Sequence, residues 1–177
     1  RQRLEKMISD DLREVNLNVP PEFVMCIIKK ESNFKPEALN DRGEYSVGLM
    51  QLNKRSGTDR AALSGLKKYG RNLYQKLLNN HGSDSKITDT SSLMSKNDPA
   101  SEKGMTNIAL GIAYLKKINA ENGRGNGLRN DTDLDNLAAG YNCGPARCKG
   151  GRTAYSNDVV ACTRTMRAKS GSSSGFK

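Results

Sequence analysis

The 177-residue sequence has no tryptophan, three phenylalanines, six tyrosines and a single histidine. So few rings leave little for base stacking, and there is neither zinc-finger spacing nor a basic-aromatic RNA motif, so nucleic acid is not an expected partner. No apolar run approaches the roughly 20 residues that a membrane-spanning helix needs. The opening Arg1-Gln2-Arg3-Leu4 has no apolar stretch of the kind a signal peptide carries. There is no Cys-x-x-Cys, and His81 lies far in sequence from every cysteine, so neither a metal nor another cofactor is implied.

Hydrophobic residues make up 35% and charged residues 27% of the chain, which suits one soluble domain with a real core. The formal net charge is +10, and Arg147 to Lys177 holds seven basic residues against one acidic one. Such a surface attracts polyanions, anionic envelope polymers among them, or serves solubility alone. The four cysteines, Cys26, Cys143, Cys148 and Cys162, suit one or two disulfides in an oxidising compartment, or remain reduced thiols. Cys143 and Cys148 flank Gly144-Pro145 and would close a small loop. The sequence does not choose among the possible pairings.

Apolar spacing reads as all-helical. Leu4, Met7, Ile8, Leu12 and Val15 mark one helix. Pro20-Pro21 opens a second, with Phe23, Val24, Ile27 and Ile28, which ends before Pro36. Residues 36–53 read as a loop or short irregular hairpin, and 59–80 as a basic helix that Gly65 and Gly70 weaken. Residues 82–104 are Ser-, Asp- and Lys-rich and predict a mobile surface excursion. Met105 to Leu115 predicts a buried helix, followed by a glycine turn at Gly123 to Gly127. Leu134 to Tyr141 predicts a helix closed by Gly144-Pro145, and Tyr155 to Met166 the last one. The domain is expected over residues 1–168, with an insertion near 56–104 and a flexible tail over 169–177.

Glu31 shares a helix face with Ile27 and Phe23. An inward stripe carries it inward, and partial burial disfavours its charged form. A carboxyl kept protonated near neutral pH is what cleavage of a glycosidic bond requires, because the leaving oxygen must take a proton. Periodicity alone favours the plainer reading, a helix-end carboxylate paired with Lys30 or Lys35.

The surrounding residues narrow the choice. Glu31-Ser32-Asn33-Phe34-Lys35-Pro36-Glu37-Ala38 resembles the Glu-Ser-x-Phe-x-Pro-x-Ala signature of soluble lytic transglycosylases (SLT). Gly48-Leu49-Met50-Gln51 resembles their Gly-Leu-Met-Gln segment. Asn107-Ile108, Gly111 and Tyr114-Leu115 resemble their Asn-Ile-x-x-Gly-x-x-Tyr-Leu helix. Ala139-Gly140-Tyr141-Asn142-Cys143-Gly144 resembles their Ala-Tyr-Asn-Ala-Gly block, and Tyr155 with Val159 follows. Asp41-Arg42-Gly43, Lys54-Arg55-Ser56 and Tyr155 to Ala161 are also similar to goose-type lysozymes. Three departures stand out: Gln51 and Asn107 lie farther apart than in the transglycosylase pattern, Tyr45-Ser46 replaces a Gly-Ala, and Asn53 stands where goose-type enzymes carry Asp.

The resemblance implies an all-α, lysozyme-like single domain with a glycan-binding groove. It implies a muramidase acting on peptidoglycan between N-acetylmuramic acid and N-acetylglucosamine, with Glu31 as the acid and then the base. Asn53 favours the transglycosylase outcome over water-consuming goose-type hydrolysis. Hydrolysis would need a second carboxylate, for which Asp41 is the candidate; otherwise Asp41 is a turn residue before Gly43. Tyr141 is expected to direct its hydroxyl to Glu31 or the sugar. Ser46, Met50, Gln51, Tyr114 and Asn142 are expected along the substrate path. Ordinary readings stand beside these: Gln51 as a loop brace, Met50 and Tyr114 as core, Asn142 as a left-handed helix-end brace. The extra segment over 56–104 is expected to wall or lid the groove. The expected compartment is periplasmic or extracellular, the expected state monomeric. A non-catalytic glycan-binding module and a basic structural piece of an envelope assembly are the rival readings.

Overall fold

The computed structural model describes residues 1–43, 45–95, 98–121, 128, 130–144, 148 and 152–171. The glycine turn at 123–127, Pro145 and the end of the tail lie outside them.

Helix α1 (Gln2–Glu14) buries Leu4, Ile8 and Leu12 on one stripe. Helix α2 (Pro21–Ser32) begins with Pro21, whose missing N–H costs nothing in a first turn. Phe23 to Ile28 are all buried, because α2 is covered by α1 on one side and by α9 (Ala154–Ser170) on another. Asn33 and Phe34 then take left-handed backbone angles, which stop the helix directly after Glu31 and Ser32.

The stretch read as a loop or irregular hairpin contains a small antiparallel sheet in the order β1-β2-β3: β1 (Leu39–Asn40), β2 (Ser46–Val47) and β3 (Leu52–Asn53). Asn40 pairs with Ser46, and Ser46 with Asn53. The single basic helix expected over 59–80 is two, α3 (Thr58–Tyr69) and α4 (Arg71–His81), broken at Gly70. Residues 82–104 were expected to form a surface excursion, and the described part of that segment carries two short helices with buried residues. Short helices α5 (Asp84–Ile87) and α6 (Thr90–Leu93) insert Ile87 and Leu93 fully into the core. Polar composition concealed two apolar anchors.

Helix α7 (Glu102–Glu121) runs through the centre, about 30 Å long. It packs against α1, α3, α6 and α8 (Asp131–Cys143), and is buried along most of its length. Gly111 of α7 is a point of close approach: a Cβ there would strike the Met50 side chain. Gly48 combines a φ of +77° with a site where a Cβ would meet Asn107 and the Leu93 carbonyl. Both positions bring the β2–β3 turn down onto α7. Asn107, fully buried, fastens that turn: its Oδ1 accepts from the Met50 N–H (2.8 Å), and its Nδ2 donates to the Val47 (3.0 Å) and Leu93 (3.2 Å) carbonyls.

Two disulfides form, Cys26–Cys162 between α2 and α9 and Cys143–Cys148 beyond the end of α8. Helix α9 opens with a capping box in which Thr153 and Ser156 satisfy each other's backbone N–H groups.

Candidate active site

A cleft of about 820 Å³ opens where the end of α2, the small sheet, the start of α3 and the C-terminal end of α8 converge. Glu31, half-buried, reaches it from the last turn of α2. Asn40, Ser46, Asn53 and Arg55 line the sheet side, Thr58 the start of α3, and Tyr114, Tyr141 and Asn142 the opposite wall. Among the described lining residues, Glu31 is the one carboxylate and Arg55 the one cation.

The hydroxyl of Tyr155, on α9, donates to Glu31 Oε1 at 2.6 Å. Burial first, and then the adjacent Glu31 charge, push the Tyr155 phenol far above its ordinary value, so it keeps its proton. Tyr155 is 124 residues from Glu31 in sequence and does not itself line the cleft. The sequence marked it as part of a motif without assigning it to the site; only its place in the last helix, after the Tyr141 block, signalled a role. Further links hold α9 to α2: the Cys26–Cys162 disulfide, an ion pair between Lys30 and Asp158 (2.5 Å), and the Ser170 hydroxyl donating to Glu22 Oε1 (3.3 Å).

Tyr141 lines the cleft. Its hydroxyl donates to the Met50 carbonyl at 2.6 Å rather than to Glu31. Burial raises its pKa, with the charge of Glu31 adding to the effect. Its ring meets Tyr114 edge-on, with centroids 5.6 Å apart, so Tyr114 is both cleft wall and core. Met50 is placed beneath the cleft rather than along it: its side chain is fully buried against Gly111.

Gln51 lines the cleft while bracing the loop. Its Nε2 donates to the Ala38 (3.1 Å) and Gly48 (2.9 Å) carbonyls, and its φ is +47°. Ser46 is buried at the edge of the cleft in β2. Asn142 is exposed within α8; the positive φ expected of it falls on Gly144 instead. Asp41 is exposed and absent from the cleft lining, and its carbonyl accepts from the Gly43 N–H at 3.0 Å. That is the turn geometry of the plainer reading. Asn53 faces the cleft, but its Oδ1 accepts from the Ser56 N–H at 2.8 Å.

The expected walling of the groove by the 56–104 segment is confined to its first residues. Ser56 and Thr58 line the cleft, whereas α4 to α6 do not. They pack instead behind it, α6 on α7 and α4 on α1 and α3. No group of three or more His, Cys, Asp or Glu capable of holding a metal occurs among the described residues.

A mostly helical, lysozyme-like domain with one acid set in an open cleft has the build of a glycosidase-type enzyme. The Transglycosylase SLT domain model matches residues 12–158, and the chain belongs to that family, whose members are peptidoglycan lytic transglycosylases. No curated protein and no solved structure matches the chain. The matched span contains Glu31, Tyr141 and Tyr155 together with the whole of the sheet.

Proposed function

We propose that this chain cleaves the β-1,4 bond between N-acetylmuramic acid and N-acetylglucosamine in peptidoglycan, with Glu31 as the single catalytic carboxyl and a 1,6-anhydro end as the product. Glu31 gives its proton to the bridging oxygen as the bond from that oxygen to the muramyl C1 breaks. The resulting carboxylate then takes the proton of the muramyl C6 hydroxyl as that oxygen bonds to C1. The proton returns to Glu31 and no water is consumed.

The supporting observation is that Glu31 is the one carboxylate among the described lining residues, while Asp41 is an exposed turn residue off the cleft. An inverting hydrolase needs a second carboxyl about 6.5–9.5 Å across the bond to activate water. The setting of Glu31 suits a group that must serve as both acid and base. Glu31 is half-buried at the carbonyl end of α2 and accepts a hydrogen bond from the Tyr155 hydroxyl. Ser46, Gln51, Tyr114 and Asn142 supply polar and ring surface along the substrate path, and Tyr141 and Met50 support the floor. Action on peptidoglycan and two disulfides fit a periplasmic or secreted protein. Anionic wall polymers suit the +10 charge.

The test is product mass from purified sacculi, together with Glu31→Gln. Anhydro-muropeptides are expected from the wild type, with a loss of at least about a hundredfold in rate for the variant. Products with free reducing ends would replace this reading with goose-type hydrolysis. Full activity in Glu31→Gln would take the catalytic role away from Glu31, and no activity in the wild type would leave a non-catalytic glycan-binding module.

A further inference from the structure

Arg55 follows β3 and lies on the sheet side of the cleft that Glu31 enters from α2. It is exposed, and its Nη1 donates to the Gly43 carbonyl at 2.6 Å, which ties the guanidinium to the β1–β2 turn. That bond uses one of five N–H donors on a planar fork. No acidic side chain among the described residues pairs with it, although other exposed cations such as Lys30 and Arg164 have Asp partners. A cation held by its own backbone contact, with donors to spare, is pre-organised for a planar anion.

Peptidoglycan offers such an anion on one of its two sugars only. N-acetylglucosamine is neutral. N-acetylmuramic acid carries a lactyl ether whose carboxyl is either free or extended by a peptide that bears further carboxylates. We propose that Arg55 is a specificity-determining residue that reads a carboxylate on the muramyl unit and so selects muramyl glycan over neutral glycan. This rests on the peptidoglycan reading of the cleft. The shared chemistry is a carboxylate, and its source is the lactyl group itself or the stem peptide.

The experiment compares initial rates on three forms of one glycan: stem-bearing, denuded with free lactyl carboxyls, and denuded with those carboxyls converted to neutral methylamides. Wild type, Arg55→Gln and Arg55→Lys are each measured. The wild type is expected to favour the acid forms through KM. Arg55→Gln is expected to raise KM on them by roughly tenfold, the scale of a lost charged hydrogen bond. Its kcat, and all its parameters on the methylamide, should stay within about twofold. Arg55→Lys is expected to recover part of the preference, since it keeps the charge and loses the fork. An effect on the denuded acid places the partner on the lactyl group; an effect on the stem-bearing form alone places it on the peptide.

Equal losses on all three glycans would overturn the proposal, because Arg55 would then merely brace the Gly43 turn. Unchanged KM on the acid forms would overturn it as well. Either result leaves wild-type cleavage of sacculi in place. Failure of the peptidoglycan reading is a different result: a wild type inactive on all three.

Discussion

Tyr155 offers Glu31 a proton that it does not itself surrender, since burial and the neighbouring carboxylate both oppose its ionisation. Its hydroxyl stabilises the charged form of Glu31, so removing it makes Glu31 harder to ionise. In the general-acid role proposed above, Glu31 must be protonated, and the alkaline limb of the pH–rate profile would report its loss of that proton. Tyr155→Phe is therefore expected to move the alkaline limb to higher pH while lowering the maximal rate, read from rates on sacculi across pH. An unchanged limb would mean that the hydrogen bond does not bear on the acid. The sequence made one member of this pair legible and not the other. Glu31 announces itself by sharing a face with Ile27 and Phe23 and by the motif it opens. Tyr155 gains its role only when the two ends of the chain meet. Asp41 shows the converse: a carboxyl near a motif in sequence that folding leaves on a turn outside the cleft.

Helices α2 and α9 form the unit that brings acid and phenol together, and Cys26–Cys162 closes it across 136 residues. Cross-linking a loop of that size removes chain entropy worth on the order of 4–5 kcal/mol from the unfolded state. Replacing both cysteines by serine is expected to lower the thermal midpoint by roughly 10 °C, as followed by calorimetry. At low temperature activity should persist, because Lys30–Asp158 and Tyr155–Glu31 still join the helices. Loss of activity in a variant that remains folded would show that the covalent link itself sets the alignment. Helices α1, α2, α7, α8 and α9 were legible because their apolar residues repeat at helical spacing over three turns or more. The break at Gly70 was visible only as a weakness in the pattern. Helices α5 and α6, four residues each, are too short to display a period, so polar composition concealed Ile87 and Leu93. The sheet, with strands of two residues, gave no alternation to read.

For the molecule as a whole, one buried acid ties folding to pH. Asp11 of α1 is pushed from an ordinary value of 3.8 up to about 7, chiefly by burial, with Lys76 of α4 opposing the shift. The fold therefore favours its protonated form. That contribution is complete below about pH 4 and is lost as pH rises through about 7. Asp11→Asn is expected to raise the thermal midpoint relative to wild type at pH 8, with the gap closing at pH 4. A gap that persists at pH 4 would assign the gain to something other than ionisation. The same global view bears on how a glycan is received. Met50 is grasped at its amide nitrogen by Asn107 and at its carbonyl oxygen by Tyr141, one from α7 and the other from α8. A main chain gripped from both directions has its N–H already engaged and little freedom to follow a sugar. Any adjustment that docking demands therefore falls on other parts of the cleft than this turn.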